Sequence, residues 1–325
     1  MRAHTLLAAL LALALPVAAA AASDSFPDRP IRFVVPYAAG ALNDFMARTL
    51  ADAVAPILGQ TVIVENRSGA SGQIGTDYVA KAPADGYTIL MGSNEPLGLL
   101  PAVKADTPYS VPDDFTFIGK VSAPIPWVLA VSRDFPAKTI QEFVDYAHRH
   151  PGKVRYGSNG IGSGGHLAFA QLALLTDSSL THIPYKGTAP IVNDLLGGHL
   201  DAAMTAPGTL LPYADTDRMR VLAVTGSKRH AFFPDAPATA EVGLAGVDAE
   251  IWFGIVAPAG VPENARRRLS AAFESALQNE NVRSMLIGKG VQPEFLDGNA
   301  FTDFAKAYLE QSRRVVKAAA ITSAE

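Results

Sequence analysis

A chain that twice runs from a buried strand through a glycine-rich turn into a helix is largely confined to α/β folds. The first such unit is Ile31–Val35, then Pro36-Tyr37-Ala38-Ala39-Gly40-Ala41, then a helix from about Leu42. The second is Val154–Tyr156, then Gly157-Ser158-Asn159-Gly160-Ile161-Gly162-Ser163-Gly164-Gly165, then a helix from about His166. A helix start presents unpaired backbone N–H groups and the positive end of its dipole, so each unit is a ready-made anion site. Gly and Ala keep side chains clear of those amides. Gly40 and Gly160 lie 120 positions apart, which suggests two lobes closing on one small anion.

Strand and helix signals alternate along the rest of the chain. Leu42, Phe45, Met46, Leu50, Val54, Ile57 and Leu58 recur at helical spacing until Gly59 stops them. Strands are expected at Thr61–Glu65 and Tyr87–Met91, completing one βαβαβ half, and at Phe115–Val121 and Trp127–Val131. Thr139 and Glu142 form a capping box for a helix over Ile140–His150. Further strands fall at Thr181–Pro184, Asp201–Met204 and Val221–Thr225, with a helix around Ile191–Leu196 between the first two. Trp252–Ala257 reads as a strand returning to the first sheet, followed by helices over Asn264–Gln278 and Ala300–Ala319. This pattern predicts two mostly parallel sheets in two lobes, 23–124 with 248–325 and an inserted 125–247. Two crossings near 123–126 and 245–250 would make a hinge.

The N-terminus carries Arg2 and His4, an apolar run from Leu6 to Val17 and small residues through Ala22. That is the layout of a cleaved secretory signal over 1–22, and it is shorter than the roughly 20 apolar residues a spanning helix needs. The chain has no cysteine, which excludes disulfides, thiol catalysis and thiolate metal sites. With 27 Lys+Arg against 31 Asp+Glu the net charge is −4, which argues against nucleic acid as a partner.

Gly160-Ile161-Gly162-Ser163-Gly164-Gly165 fits G-x-G-x-x-G between a strand and a helix. A dinucleotide site also wants an acid at the end of the next strand to hold the ribose. Tyr185 and Lys186 stand there instead, so a smaller anion is the better reading and no cofactor is expected. His148, His150 and His182 show no metal-ligand spacing, and no metal is expected either. Ser163 and His166 are three residues apart at a helix start, so a secreted serine hydrolase is the alternative function. It lacks an obvious carboxylate to orient the histidine. Lys186 could attract an anion, and Tyr37 or Tyr185 could cover a cleft.

Several motifs follow one another in a set order: Pro30-Ile31-Arg32-Phe33-Val34-Val35-Pro36-Tyr37-Ala38-Ala39-Gly40, Val64-Glu65-Asn66-Arg67-Ser68-Gly69-Ala70-Ser71-Gly72 and Ala84-Asp85-Gly86-Tyr87-Thr88-Ile89-Leu90. Tyr156-Gly157-Ser158, His182-Ile183-Pro184-Tyr185-Lys186-Gly187, Asp194-Leu195-Leu196-Gly197-Gly198 and Trp252-Phe253-Gly254 continue it. Over essentially the whole mature chain this set resembles the substrate-binding proteins of tripartite tricarboxylate transporters, the TctC or Bug family. The resemblance implies a non-enzymatic, two-lobed periplasmic binding protein of the type II, Venus-flytrap kind in a Gram-negative bacterium. Its implied ligand is a small carboxylate: a di- or tricarboxylate, an aromatic acid or an acidic amino acid. Its implied partners are the membrane permease components or a signalling system, and a monomer is expected.

Carried onto this chain, the first lobe's contacts fall on Tyr37, Ala39, Gly40, Ala41, Leu42, Asn43, Ser93 and Asn94. Those of the second fall on Ser158, Asn159, Gly162, Ser163, Gly164, His166, Tyr185, Lys186 and Thr205. Three departures bear on the ligand. Leu42 adds apolar bulk in the first turn. Thr205 stands where the family often has Asp, which would turn preference away from ligands bearing an amino group. Glu95 and Pro96 after Ser93-Asn94 are unusual.

Overall fold

The computed structural model describes residues 26–104 and 106–322, so the expected signal segment 1–22 lies outside the described residues. Six strands form one sheet in the spatial order Leu296–Asp297, Phe115–Lys120, Phe253–Pro258, Thr88–Ser93, Ile31–Val35, Val62–Asn66. Five form a second in the order Met219–Val224, Val128–Ser132, Ala202–Thr205, Arg155–Ser158, Thr181–Pro184. Between them Ile125–Pro126 pairs antiparallel with Glu250–Ile251, so the two chain crossings run side by side.

Both sheets are mixed, not mostly parallel. Ile31–Val35 is parallel to both its neighbours, as helical crossovers through Leu42–Leu58 and Gln73–Ala80 require. Phe253–Pro258, however, is antiparallel to Thr88–Ser93 and to Phe115–Lys120. Val128–Ser132 is likewise antiparallel to Ala202–Thr205 and Met219–Val224. The reason is direction: a strand that starts at the crossing runs away from it, against strands that end there. As a result Thr88–Ser93 and Ala202–Thr205 both deliver their C-terminal ends to the seam between the sheets, where open α/β sheets hold ligands.

Local chemistry accounts for the helices. Thr139 Oγ1 accepts the Glu142 N–H at 3.1 Å, while Glu142 takes the amide of Lys138, not that of Thr139, at 2.6 Å. The long helix Leu42–Leu58 ends at Gly59 in the left-handed conformation, at φ +70°. Three helical segments go beyond the sequence expectation. Glu280–Ile287 follows its predecessor after one residue, with Asn279 Oδ1 capping the amides of Asn281 and Val282. Glu95–Leu99 and Leu100–Val103 wind as short turns despite Pro96 and Pro101, each proline sitting in a first turn where its missing N–H costs nothing.

The C-terminal helix Gly298–Ala318 buries Phe301, Ala305 and Leu309 against the first sheet, with Trp252 meeting the Phe301 ring edge-on. Its last turn reaches across: Val316 and Ile321 cluster with Leu99, Leu167 and Ala170. An apolar seam therefore joins the two sheets' helices on one side of the crossings. On the other side the seam opens.

Candidate functional site: the cleft between the sheets

A cavity of about 890 Å³ lies on the seam side, lined among others by Leu99, Gly164, Leu167, Glu250 and Tyr308; another of about 890 Å³ lies here on the open side. Its first wall is built on Gly40, whose φ of +85° turns the chain from strand to helix and whose absent side chain would point into open space. Asp44 holds this turn. Its carboxylate accepts the Gly40 N–H at 2.9 Å, Arg48 Nε at 3.1 Å and Asn66 Nδ2 at 2.8 Å. Burial alone would raise its pKa, but the bonds from Arg48, Gly40 and Asn66 outweigh that and hold it at about 2. The helix Leu42–Leu58 has no side-chain cap, so the amides of its first turn have no partner within the helix.

The same wall continues through Ser93, Asn94 and Glu95 at the end of Thr88–Ser93. The facing wall comes from Trp127, Asn159 and the run Met204–Thr209 after Ala202–Thr205. Ile125, Ile251 and Phe253 close the back at the crossings. Lys289, on the loop after Glu280–Ile287, stands at the rim with Nζ 5.3 Å from the Phe45 ring centre.

Four buried polar atoms in this cavity have no hydrogen-bond partner among the described residues: Asn43 Nδ2, Asn94 Nδ2, Trp127 Nε1 and Thr205 Oγ1. Two belong to each wall, and all four can donate. Asn94 Nδ2 lies beside the Tyr308 hydroxyl; the other three sit on residues that line the cavity but are sealed from solvent in this conformation. Asn43 is 9% exposed, Trp127 6% and Thr205 2%. Buried donors without partners are costly, so their convergence points to an acceptor-rich ligand.

Of the residues read from the sequence, Tyr37, Gly40, Ala41, Leu42, Asn43, Ser93 and Asn94 line the first wall, and Asn159 and Thr205 the second. Ala39 is exposed outside the cavity. Ser158, Gly162, Ser163, Gly164, His166, Tyr185 and Lys186 do not line it either. The second glycine turn is spent on its own packing. Gly160 N–H donates to Ser158 Oγ at 3.2 Å, and Gly162 N–H to His166 Nδ1 at 3.0 Å. A Cβ on Gly164 would overlap the Trp127 indole, and one on Gly165 would lie 2.9 Å from the Met204 carbonyl. These glycines let Trp127 and the neighbouring strand approach the helix, and of the two Gly165 also lines the cavity. Tyr185 is drawn away by donating to Asp194 Oδ2 at 2.6 Å, and Lys186 is exposed beside it.

His166 and His182 stack at 4.0 Å, with Tyr156 stacked on His182 at 5.0 Å. Burial, and then His182, push the His166 pKa down to about 4; burial also lowers His182. Both rings are neutral packing elements. Ser163 Oγ donates to the Gly160 carbonyl at 2.8 Å while His166 Nδ1 is occupied by Gly162, so the serine hydrolase pair does not form. The Ser158 hydroxyl does meet His182 Nε2 at 2.6 Å, but Ser158 is 1% exposed and lies off the cavity. Among the described residues no three His, Asp or Glu side chains are grouped to hold a metal ion.

Sequence reasoning missed Asp44, Phe45, Trp127, Phe253 and Lys289. Trp127 could have been found from its place beside a crossing; Lys289 comes from an element the apolar pattern did not mark.

The family described as tripartite tricarboxylate transporter family receptor, TctC, matches residues 46–321. Protein BugT of Bordetella pertussis is 35% identical over 278 residues, covering 85% of this chain and 85% of BugT. The solved periplasmic binding protein BugD is similar over 91% of this chain and 99% of its own, at 33% identity and a TM-score of 0.78. An R. palustris protein solved with adipate, Rpa4515, is similar over 91% of this chain and 99% of its own, at 31% identity and a TM-score of 0.81. Two mixed sheets joined by paired crossings, with a donor-lined cleft between them, are therefore the setting in which this chain belongs to the TctC/Bug family of tripartite tricarboxylate transporter receptors.

Proposed function

We propose that this protein is a periplasmic receptor that closes its two lobes on a small carboxylate and presents it to the membrane components of a tripartite transporter. The observation that carries the reading is the set of buried donors on residues of both walls: Asn43 from one, Trp127 and Thr205 from the other. A carboxylate has two oxygens and about four acceptor sites, so it can take such donors together with the first-turn amides of Leu42–Leu58. The likeness to a protein solved with adipate supports the same ligand class. A cleft of about 890 Å³ is within the usual range for small-molecule sites.

The lobes taken as moving bodies are 23–124 with 248–325, and 125–247, hinged on Ile125–Pro126 and Glu250–Ile251. Ligand favours the closed form because only there do donors of both walls reach it. The mature protein is read as a soluble monomer released after cleavage near Ala22, returning its ligand unchanged.

The test is a thermal-shift screen of small acids followed by titration calorimetry on the hit. An acid at 100 times its Kd should stabilise the protein by about 2.7 kcal/mol. Asn43→Ala and Trp127→Phe should each weaken it. A protein that responds to no small acid, or an acid bound equally well by both variants, would overturn the reading.

A further inference from the structure

Three acidic side chains line the cleft: Asp44, Asp52 and Glu95. Asp44 is neutralised by Arg48 at 2.9 Å and by the bonds already described, and Asp52 is exposed on the outer part of its helix. Glu95 is different. It is partly buried, forms no salt bridge among the described residues, and accepts the Tyr37 hydroxyl at 3.0 Å. The Tyr37 hydroxyl is shared with Ser93 Oγ at 3.4 Å, so it has a fixed direction.

Burial holds the Glu95 pKa above its ordinary value, against the lowering effect of the Tyr37 hydroxyl. Burial and Glu95 in turn hold Tyr37 protonated, well above the usual tyrosine range, so it stays a donor. Gly164 opens the helix Gly164–Thr176 of the facing wall. Glu95 reaches across the seam toward the start of that helix, while its carboxylate's one hydrogen bond among the described residues is from Tyr37.

An anion position lies at the start of Leu42–Leu58, with Asn43, Trp127 and Thr205 as donors unpartnered among the described residues, and Lys289 stands apart from it at the rim. The same cleft is lined by Glu95, whose carboxyl has acceptor capacity that Tyr37 does not exhaust. A ligand with a second carboxylate would bring two like charges together in a desolvated space, which disfavours it against a ligand without one. A ligand with a donor at its far end would instead pair with Glu95.

Building on the carboxylate-receptor reading above, we propose that the cleft selects a monocarboxylate whose other end carries a hydrogen-bond donor, an ammonium group foremost, and that Glu95 is the residue that excludes dicarboxylates. Thr205 keeps its hydroxyl for the carboxylate end, and the acid for the cationic end comes from the opposite wall.

The experiment measures Kd by calorimetry for matched pairs: succinate with 4-aminobutyrate, glutarate with 5-aminopentanoate, adipate with 6-aminohexanoate. Wild type should bind the amino member of at least one pair about ten-fold or more tighter than its diacid, the scale of a close charge pair. Glu95→Gln, of the same size and still able to accept from Tyr37, should bring that ratio to within about three-fold. Tyr37→Phe, which frees Glu95 without removing it, should leave the preference for the amino member in place. A wild type that binds the diacid equally or better, or a Glu95→Gln protein with an unchanged ratio, overturns the assignment of Glu95 and leaves the carboxylate receptor standing. Silence of both members in every pair and with every other small acid overturns the receptor reading as well.

Discussion

Thr205→Val separates binding from folding most sharply. Thr205 ends the strand Ala202–Thr205, is 2% exposed, and its Oγ1 has no partner among the described residues. Valine keeps its shape and branching, so packing against Val128 across the ladder survives. No protein hydrogen bond is lost, and the stability of the unliganded protein should stay within about 1 kcal/mol, a shift of only a few degrees in Tm for a chain of this size. Binding should respond quite differently. A hydrogen bond to a charged acceptor contributes about 1.5–3 kcal/mol, so removing the donor should raise Kd by roughly ten- to a hundred-fold. Thr205→Ser, which keeps the hydroxyl, should stay within about three-fold of wild type in Kd. Calorimetric titration of the acid found by screening, beside thermal unfolding without ligand, reads both quantities. A variant that melts far earlier yet binds normally would show that the hydroxyl serves the fold, and the reasoning from unpartnered donors would fail.

Two other perturbations test the fold. Gly162 has φ +75° and its missing Cβ would lie 2.7 Å from Val103, which packs in the Leu99–Leu167 seam; Gly162→Ala should cost about 1 kcal/mol or more in strain and crowding, read as a lower Tm without ligand. An unchanged Tm would mean that this turn carries no such strain. Glu250, on the crossing strand, is raised by burial to about 7, with Lys120 pulling down and Asp248 and Glu294 pushing up. The native state therefore holds a proton that the unfolded chain has lost between its ordinary 4.5 and about 7, so stability should fall as pH rises through that window, by at most roughly 3 kcal/mol. Glu250→Gln should flatten the slope; an identical pH profile would mean that Glu250 does not govern it.

Much of the architecture was legible before any coordinates. Gly59 stops its helix as expected, Thr139 caps as expected, and the strands sit within a residue or two of their predicted bounds. Sheet direction was not legible: Phe253–Pro258 has the composition of a buried strand whichever way its neighbours run. Glu280–Ile287 was missed because Asn279, its cap, follows at once on Gln278 of the preceding helix.

Periodicity, turn residues and caps are properties of neighbours in the chain, so the sequence by itself determined that this is an α/β protein with two glycine turns feeding helices. It also determined that Asn43, Asn94 and Thr205 stand at the ends of such units. Which amides stay available to a ligand was decided only by tertiary contact. Gly40 is claimed by Asp44 and Gly162 by His166. A backbone N–H takes whatever acceptor the fold brings within about 3 Å, and that acceptor can come from anywhere along the chain.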